Sequence, residues 1–189
     1  MAQPAENIYG KNFSIPQRLE RLPLTSYQKK IFYIIATAWF FDSMDLGMLT
    51  FVLGSIKADF QLTTVQAGLL SSTSFLGMFL GAAIAGMLAD RFGRKIVFQS
   101  SMILWGSASF LCAFSSSVEM LAIGRILLGF GMGMEFPIGQ SLVSEFIPAK
   151  NRGRYIALLE GFWPIGFIAA GLLAYIILPN GGWRMVFLC

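Results

Sequence analysis

Five apolar runs decide what this chain can become: Ile31 to Leu53, Val65 to Leu88, Ile96 to Phe114, Met120 to Val143 and Tyr155 to Leu178. Each is close to the roughly 20 residues with which an α-helix crosses the hydrocarbon core of a bilayer. Soluble domains carry about 25% charged residues. Here the charged share is 13%, against 56% hydrophobic residues and a mean hydropathy of +0.66. The expected fold is therefore all-α and integral to the membrane, and nothing in the chain suggests a sheet.

The cations set the expected topology. Residues 1–30 are polar, are interrupted by Pro4, Pro16 and Pro23, and lack the apolar core and cleavage site of a secretory signal. Lys11, Arg18, Arg21, Lys29 and Lys30 precede the first span; Arg91, Arg94 and Lys95 follow the second; Lys150, Arg152 and Arg154 follow the fourth. The remaining loops hold only Lys57 and Arg184. Because short cytoplasmic loops carry the excess of Lys and Arg, residues 1–30 are expected to be a cytoplasmic tail of a multi-pass protein in the plasma or inner membrane. The net charge of +4 is spread over three loops, so it implies a lipid bilayer as partner and no nucleic acid.

The chain has no histidine and two cysteines, Cys112 within a span and Cys189 at the end. Histidine-ligated zinc and the usual Ser-His-Asp and Cys-His arrangements are excluded, and the cysteines read as small packing residues. No enzyme activity, metal or cofactor is expected. Carboxylates are left as the side chains able to carry protons across the membrane.

Membrane helices approach each other closely where small residues line up. Gly77, Gly81 and Ala85 form such a stripe in the second span, and Arg125, Gly129 and Gly133 repeat at the same spacing in the fourth. The latter glycines invite comparison with a phosphate-binding loop, but that loop needs a preceding strand in a soluble setting. Pro164, inside the fifth span, is a candidate hinge, since it removes a helix hydrogen bond.

The first span contains "WFFDSMDLGML", which places Asp42 near mid-membrane and Asp45 one turn beyond. Each Asp costs about 2.5 to 3.5 kcal/mol at a helix centre, and each Ile, Leu, Phe or Val returns about 0.3 to 0.6. With eleven such residues in that span, insertion is near break-even, so the acids are expected to face a cation or a wet cavity. Arg125 lies at a matching depth in the fourth span and is the candidate partner, with Glu135 deeper in the same span. Asp42, Asp45, Arg125 and Glu135 form the candidate substrate- and proton-binding set. Asp42 and Asp45 are close neighbours on one helix face, so one is expected to hold a proton that substrate binding or opening could release. Glu160 ranks below these, with a reach back to the basic loop as its simplest use.

Three segments carry a family resemblance. "GMLADRFGRK", residues 86–95, resembles the G-x-L-a-D-r-x-G-R-k signature of the major facilitator superfamily through Gly86, Asp90, Arg91, Gly93, Arg94 and Lys95. "SEFIPAKNRGR", residues 144–154, resembles the E-x-x-P-x-x-x-R-G-R segment of its sugar and metabolite porters through Glu145, Pro148, Arg152, Gly153 and Arg154, and Arg125 with its following glycines resembles the fourth-helix pattern. The resemblance implies that Gly86, Asp90, Arg91, Gly93, Arg94, Glu145, Arg152 and Arg154 form a cytoplasmic gate. Gly86 would admit a neighbouring helix, Asp90 would cap a helix N-terminus, and the opposite charges would latch and part. It also implies a 3+3 inverted repeat, with helices one and four equivalent and lining a substrate cavity. "DSMD" resembles the paired acids of proton symporters for organic acids, whereas "GFWPIG" departs from the G-P-x-x-G-G of drug antiporters at Trp163. Proton-coupled uptake of a small organic acid or sugar-like metabolite is the expected function; an antiporter, or a non-transporting membrane partner or sensor on the same scaffold, is the alternative.

Family members have about twelve helices in two six-helix bundles. The expected architecture here is the N-terminal bundle, five spans plus the start of a sixth at residues 183–189. The second bundle is the expected missing partner, and the 189-residue chain alone is not expected to transport.

Overall fold

The computed structural model describes residues 24–188; most of the expected tail, including Lys11, Arg18 and Arg21, and also Cys189, lies outside the described residues. Five long helices account for nearly all of the rest: α1 (Ser26–Asp59), α2 (Thr64–Phe92), α3 (Arg94–Ala113), α4 (Val118–Phe146) and α5 (Ala149–Phe187). Each is long and apolar enough to cross a membrane. Their starts follow from local sequence. Thr25 and Thr63 each accept a hydrogen bond from the backbone N–H of a Gln three residues on, while that Gln side chain accepts from the threonine N–H, which satisfies two otherwise orphaned groups. Ser117 caps α4 through the Met120 N–H at 3.2 Å.

The connections are short, so successive helices run up and down. A single residue, Gly93, joins α2 to α3, with φ 85° and ψ 141°. Tertiary contact is heaviest between α2 and α4, α1 and α5, and α3 and α4. The small-residue stripes make the first of these possible. A Cβ on Gly77 or Gly81 would fall 2.1 Å from a carbonyl oxygen of α4, and one on Gly129 or Gly133 would fall 2.0 or 2.1 Å from a carbonyl oxygen of α2. Two helix backbones therefore touch directly, as the spacing predicts. Arg125, on the same stripe, sends its guanidinium to α1 instead.

Helix α5 runs through Pro164, the candidate hinge, and its non-helical backbone lies at Gly182 (φ 69°, ψ 176°). The break lies just before Trp183, where a sixth span is expected to start. The α3 N-terminus, which follows Asp90 closely, begins at Gly93 without a side-chain cap.

The outer surface is as apolar as the interior: Phe79, Ile103 and Tyr175 are each more than two-thirds exposed. Such a surface suits lipid tails. Helices α1 and α4 are the most enclosed of the five, and they carry the buried charges.

Candidate functional site

Asp45, projecting from α1, is 5% exposed and holds two donors from different helices. Its Oδ2 accepts from Arg125 Nη1 of α4 at 2.8 Å, and its Oδ1 accepts from Ser109 Oγ of α3 at 2.5 Å. Arg125 is fully buried, and its guanidinium carbon lies 4.3 Å from the Phe187 ring centre. An aromatic face adds attraction to a desolvated cation. A cavity of 230 Å³ opens beside this pair, lined by Asp45, Met44, Met48, Trp105, Ser109 and Phe187 among others.

The expected pairing of Asp45 with Arg125 is thus formed, and α3 and Phe187 complete it. Trp105 and Ser109 were not among the expected site residues. They stand one helical turn apart in an apolar span, and that polar stripe is the signal that could have found them. Phe187 had no such signal.

Asp42 is also fully buried, but neither of its carboxylate oxygens has a hydrogen-bond partner. Glu135 is buried as well; its Oε2 accepts from Trp105 Nε1 at 2.9 Å, while Oε1 has no partner. The four site residues therefore separate into an ion pair, Arg125 with Asp45, and two acids without a cation. One turn before Asp42, the buried Trp39 indole N–H is likewise without an acceptor. Glu160 does not reach the basic loop: it accepts from Gln140 Nε2 of α4 at 3.2 Å on an exposed face. Among the described residues no cluster of three His, Cys, Asp or Glu side chains gathers to hold a metal.

The basic end of the bundle holds the remaining candidates. Arg94 Nη1 donates to Ser141 Oγ at 2.6 Å and to the Glu145 carboxylate, which ties the start of α3 to the end of α4. Arg152 and Arg154 are exposed and, among the described residues, form no ion pair. Asp90 and Arg91 are exposed too, and Gly86 faces open space. Of the expected gate, the Arg94–Glu145 contact is the part brought together. At the opposite end Asp59 accepts from Trp183 Nε1 at 3.0 Å and Arg184 Nη1 at 2.9 Å, and Arg184 Nη2 donates to the Ser115 carbonyl at 3.3 Å. That cluster fastens the chain after Gly182 to the end of α1 and to the turn between α3 and α4.

Comparison with known proteins places this arrangement. The chain is 39% identical over 171 residues to the niacin transporter NiaP of Acinetobacter baylyi, covering 90% of this chain and 39% of that protein. It is 37% identical over 161 residues to the putative niacin/nicotinamide transporter NiaP of Bacillus subtilis, covering 85% of this chain and 40% of that one. The chain thus spans about 40% of the length of these curated relatives. Among solved structures it is similar to the inward-open xylose transporter XylE of E. coli, with a TM-score of 0.76 at 20% identity over 85% of this chain and 44% of XylE. That likeness is one of fold. A profile of the Major Facilitator Superfamily matches residues 35–189, and the chain belongs to that superfamily.

Proposed function

We propose that this chain forms one wall of a proton-coupled uptake system for small organic acids of the niacin type, working by alternating access. The observation that carries this reading is the group of buried charges where α1, α3 and α4 meet: a sealed Arg125–Asp45 pair beside Asp42 and Glu135, which have no cation. Ionisable groups inside a membrane bundle are costly and mark ion or substrate pathways. The niacin transporters named above support the organic-acid class over the sugar-like one.

In the mechanism, Asp42, Asp45 and Glu135 are the proton acceptors and Arg125 is the fixed positive charge that a change of protonation releases or holds. Arg125 is covered by Phe187 and bonded to Asp45 through Nη1, while its Nε and Nη2 have no partner; an incoming carboxylate that takes those donors once Phe187 moves competes with Asp45 for the same cation, which links substrate binding to proton movement. The Arg94–Glu145 contact latches the basic end in one conformation and parts in the other. The basic end faces the cytoplasm of a plasma or inner membrane, following the distribution of Lys and Arg. A second helical bundle supplies the opposite cavity wall. The test is uptake of labelled nicotinate by vesicles carrying the gene product at its full length. Accumulation is expected under an inward proton gradient, and accumulation indifferent to that gradient would rule out the coupling.

A further inference from the structure

The Arg125–Asp45 pair leaves two buried acids unaccounted for. Asp42 and Glu135 are both 0% exposed, and three of their four carboxylate oxygens have no hydrogen-bond partner. They sit on different helices, α1 and α4, which run antiparallel. The register between them is fixed by Trp39, whose ring would lie 2.6 Å from a Cβ on Gly139 and whose centroid is 4.8 Å from that of Phe136. One turn forward from Trp39 along α1 is Asp42, and one turn back from Gly139 along α4 is Glu135. The sequence spacing alone points to Asp45 as the sharer of a proton with Asp42, but Asp45 is occupied by Arg125 and Ser109.

The charges around the two acids do not balance. The cation buried with them, Arg125, is matched by Asp45. Trp105 and Ser109 of α3 contribute neutral donors. The other charged groups of α2 and α3, namely Asp90, Arg91, Arg94 and Lys95, stand at the basic end, and Glu160 of α5 is bonded to Gln140 on an exposed face. Two full negative charges at Asp42 and Glu135 would share a low-dielectric interior with no cation to offset them. A proton on one acid removes one of these charges and turns the carboxyl into a donor.

We propose that Asp42 and Glu135 hold one exchangeable proton between them across the α1–α4 interface, at a site separate from the Arg125–Asp45 ion pair. The proton comes from water and adds to one carboxylate oxygen; its release restores the carboxylate, and no other bond changes. Its use in coupling rests on the transport reading above, whereas its presence does not.

Infrared spectroscopy of the purified chain in lipid at neutral pH tests this. The expected result is the carbonyl stretch of one protonated carboxylic acid per chain, shifted downward in D2O. Glu135→Gln must shift or abolish the band, and Asp42→Asn combined with Glu135→Gln must remove it. Absence of the band from the unaltered chain, or an unchanged band in Glu135→Gln, overturns the proposal. Should the double variant fail to fold, Asp42→Asn alone decides: the band must shift or vanish, and an unchanged band there overturns the proposal. A persistent band alongside gradient-indifferent uptake would contradict the coupling alone, and gradient-driven uptake without the band would contradict this inference alone.

Discussion

Replacing Asp45 with Asn leaves the Arg125 guanidinium without an anion in a position where its side chain is 0% exposed. An Asn at this position can still accept from Arg125 Nη1 through its amide oxygen and donate to Ser109 Oγ through its amide nitrogen, so the loss is chiefly that of the anion. Removing one member of a buried ion pair costs about 3 to 5 kcal/mol. At 1.4 kcal/mol per tenfold, that is about two to three and a half powers of ten in the unfolding equilibrium. Replacing both members, Asp45→Leu with Arg125→Met, strands no charge, and similar exchanges elsewhere range from neutral to stabilising by about 1 to 4 kcal/mol. The assay is unfolding of the chain in mild detergent by a denaturing detergent, followed by helical circular dichroism. The single variant should unfold far earlier than the parent, and the double variant should recover most of the loss. A single-variant cost under about 1 kcal/mol, as for an exposed pair, would refute the view that this pair is sealed from water. So would a double variant as unstable as the single.

Glu145→Gln should change stability by less than about 1 kcal/mol in the same assay, because Arg94 and Glu145 are 38% and 53% exposed and screened. Gly133→Ala should destabilise by about 1 to 3 kcal/mol or more, since its Cβ would fall 2.1 Å from the Met78 carbonyl oxygen. Gly68→Ala, on the open face of α2, should be neutral or stabilising by up to about 1 kcal/mol. Gly182→Ala should cost about 1 to 3 kcal/mol, because φ 69° with ψ 176° is a region nearly restricted to glycine.

What the sequence discloses about this bundle depends on whether a feature is local or set by packing. The α2–α4 contact is local in origin: glycines at four-residue spacing leave one strip of helix bare, and only a neighbouring backbone fills it. The Arg125–Asp45 pair is legible because depth along a helix is fixed by its rise, and a charge in oil needs a partner at its own depth. The fate of Asp42 is different. Spacing on α1 makes Asp45 its neighbouring acid, yet Asp45 takes two donors from α3 and α4, and the packing of Trp39 on Gly139 sets Glu135 at the corresponding level of α4. Such a register depends on how two rotating helices mesh, which periodicity does not encode. Trp105 and Ser109 escape notice for the same reason, since their use depends on which side of α3 meets α1 and α4. In α5 the backbone stays helical at Pro164 and departs at Gly182, at the end of the Pro179–Gly182 run, where positive φ is available without a Cβ.

Proton entry accompanying substrate uptake tests the central claim most directly. The gene product at its full length, reconstituted in vesicles enclosing a pH-sensitive dye, should acidify the interior when nicotinate is added outside. Asp42→Asn should abolish that acidification while the protein remains folded. Acidification that survives both Asp42→Asn and Asp45→Asn at the parent rate would contradict the account, because the buried acids of α1 would then have no part in moving the proton.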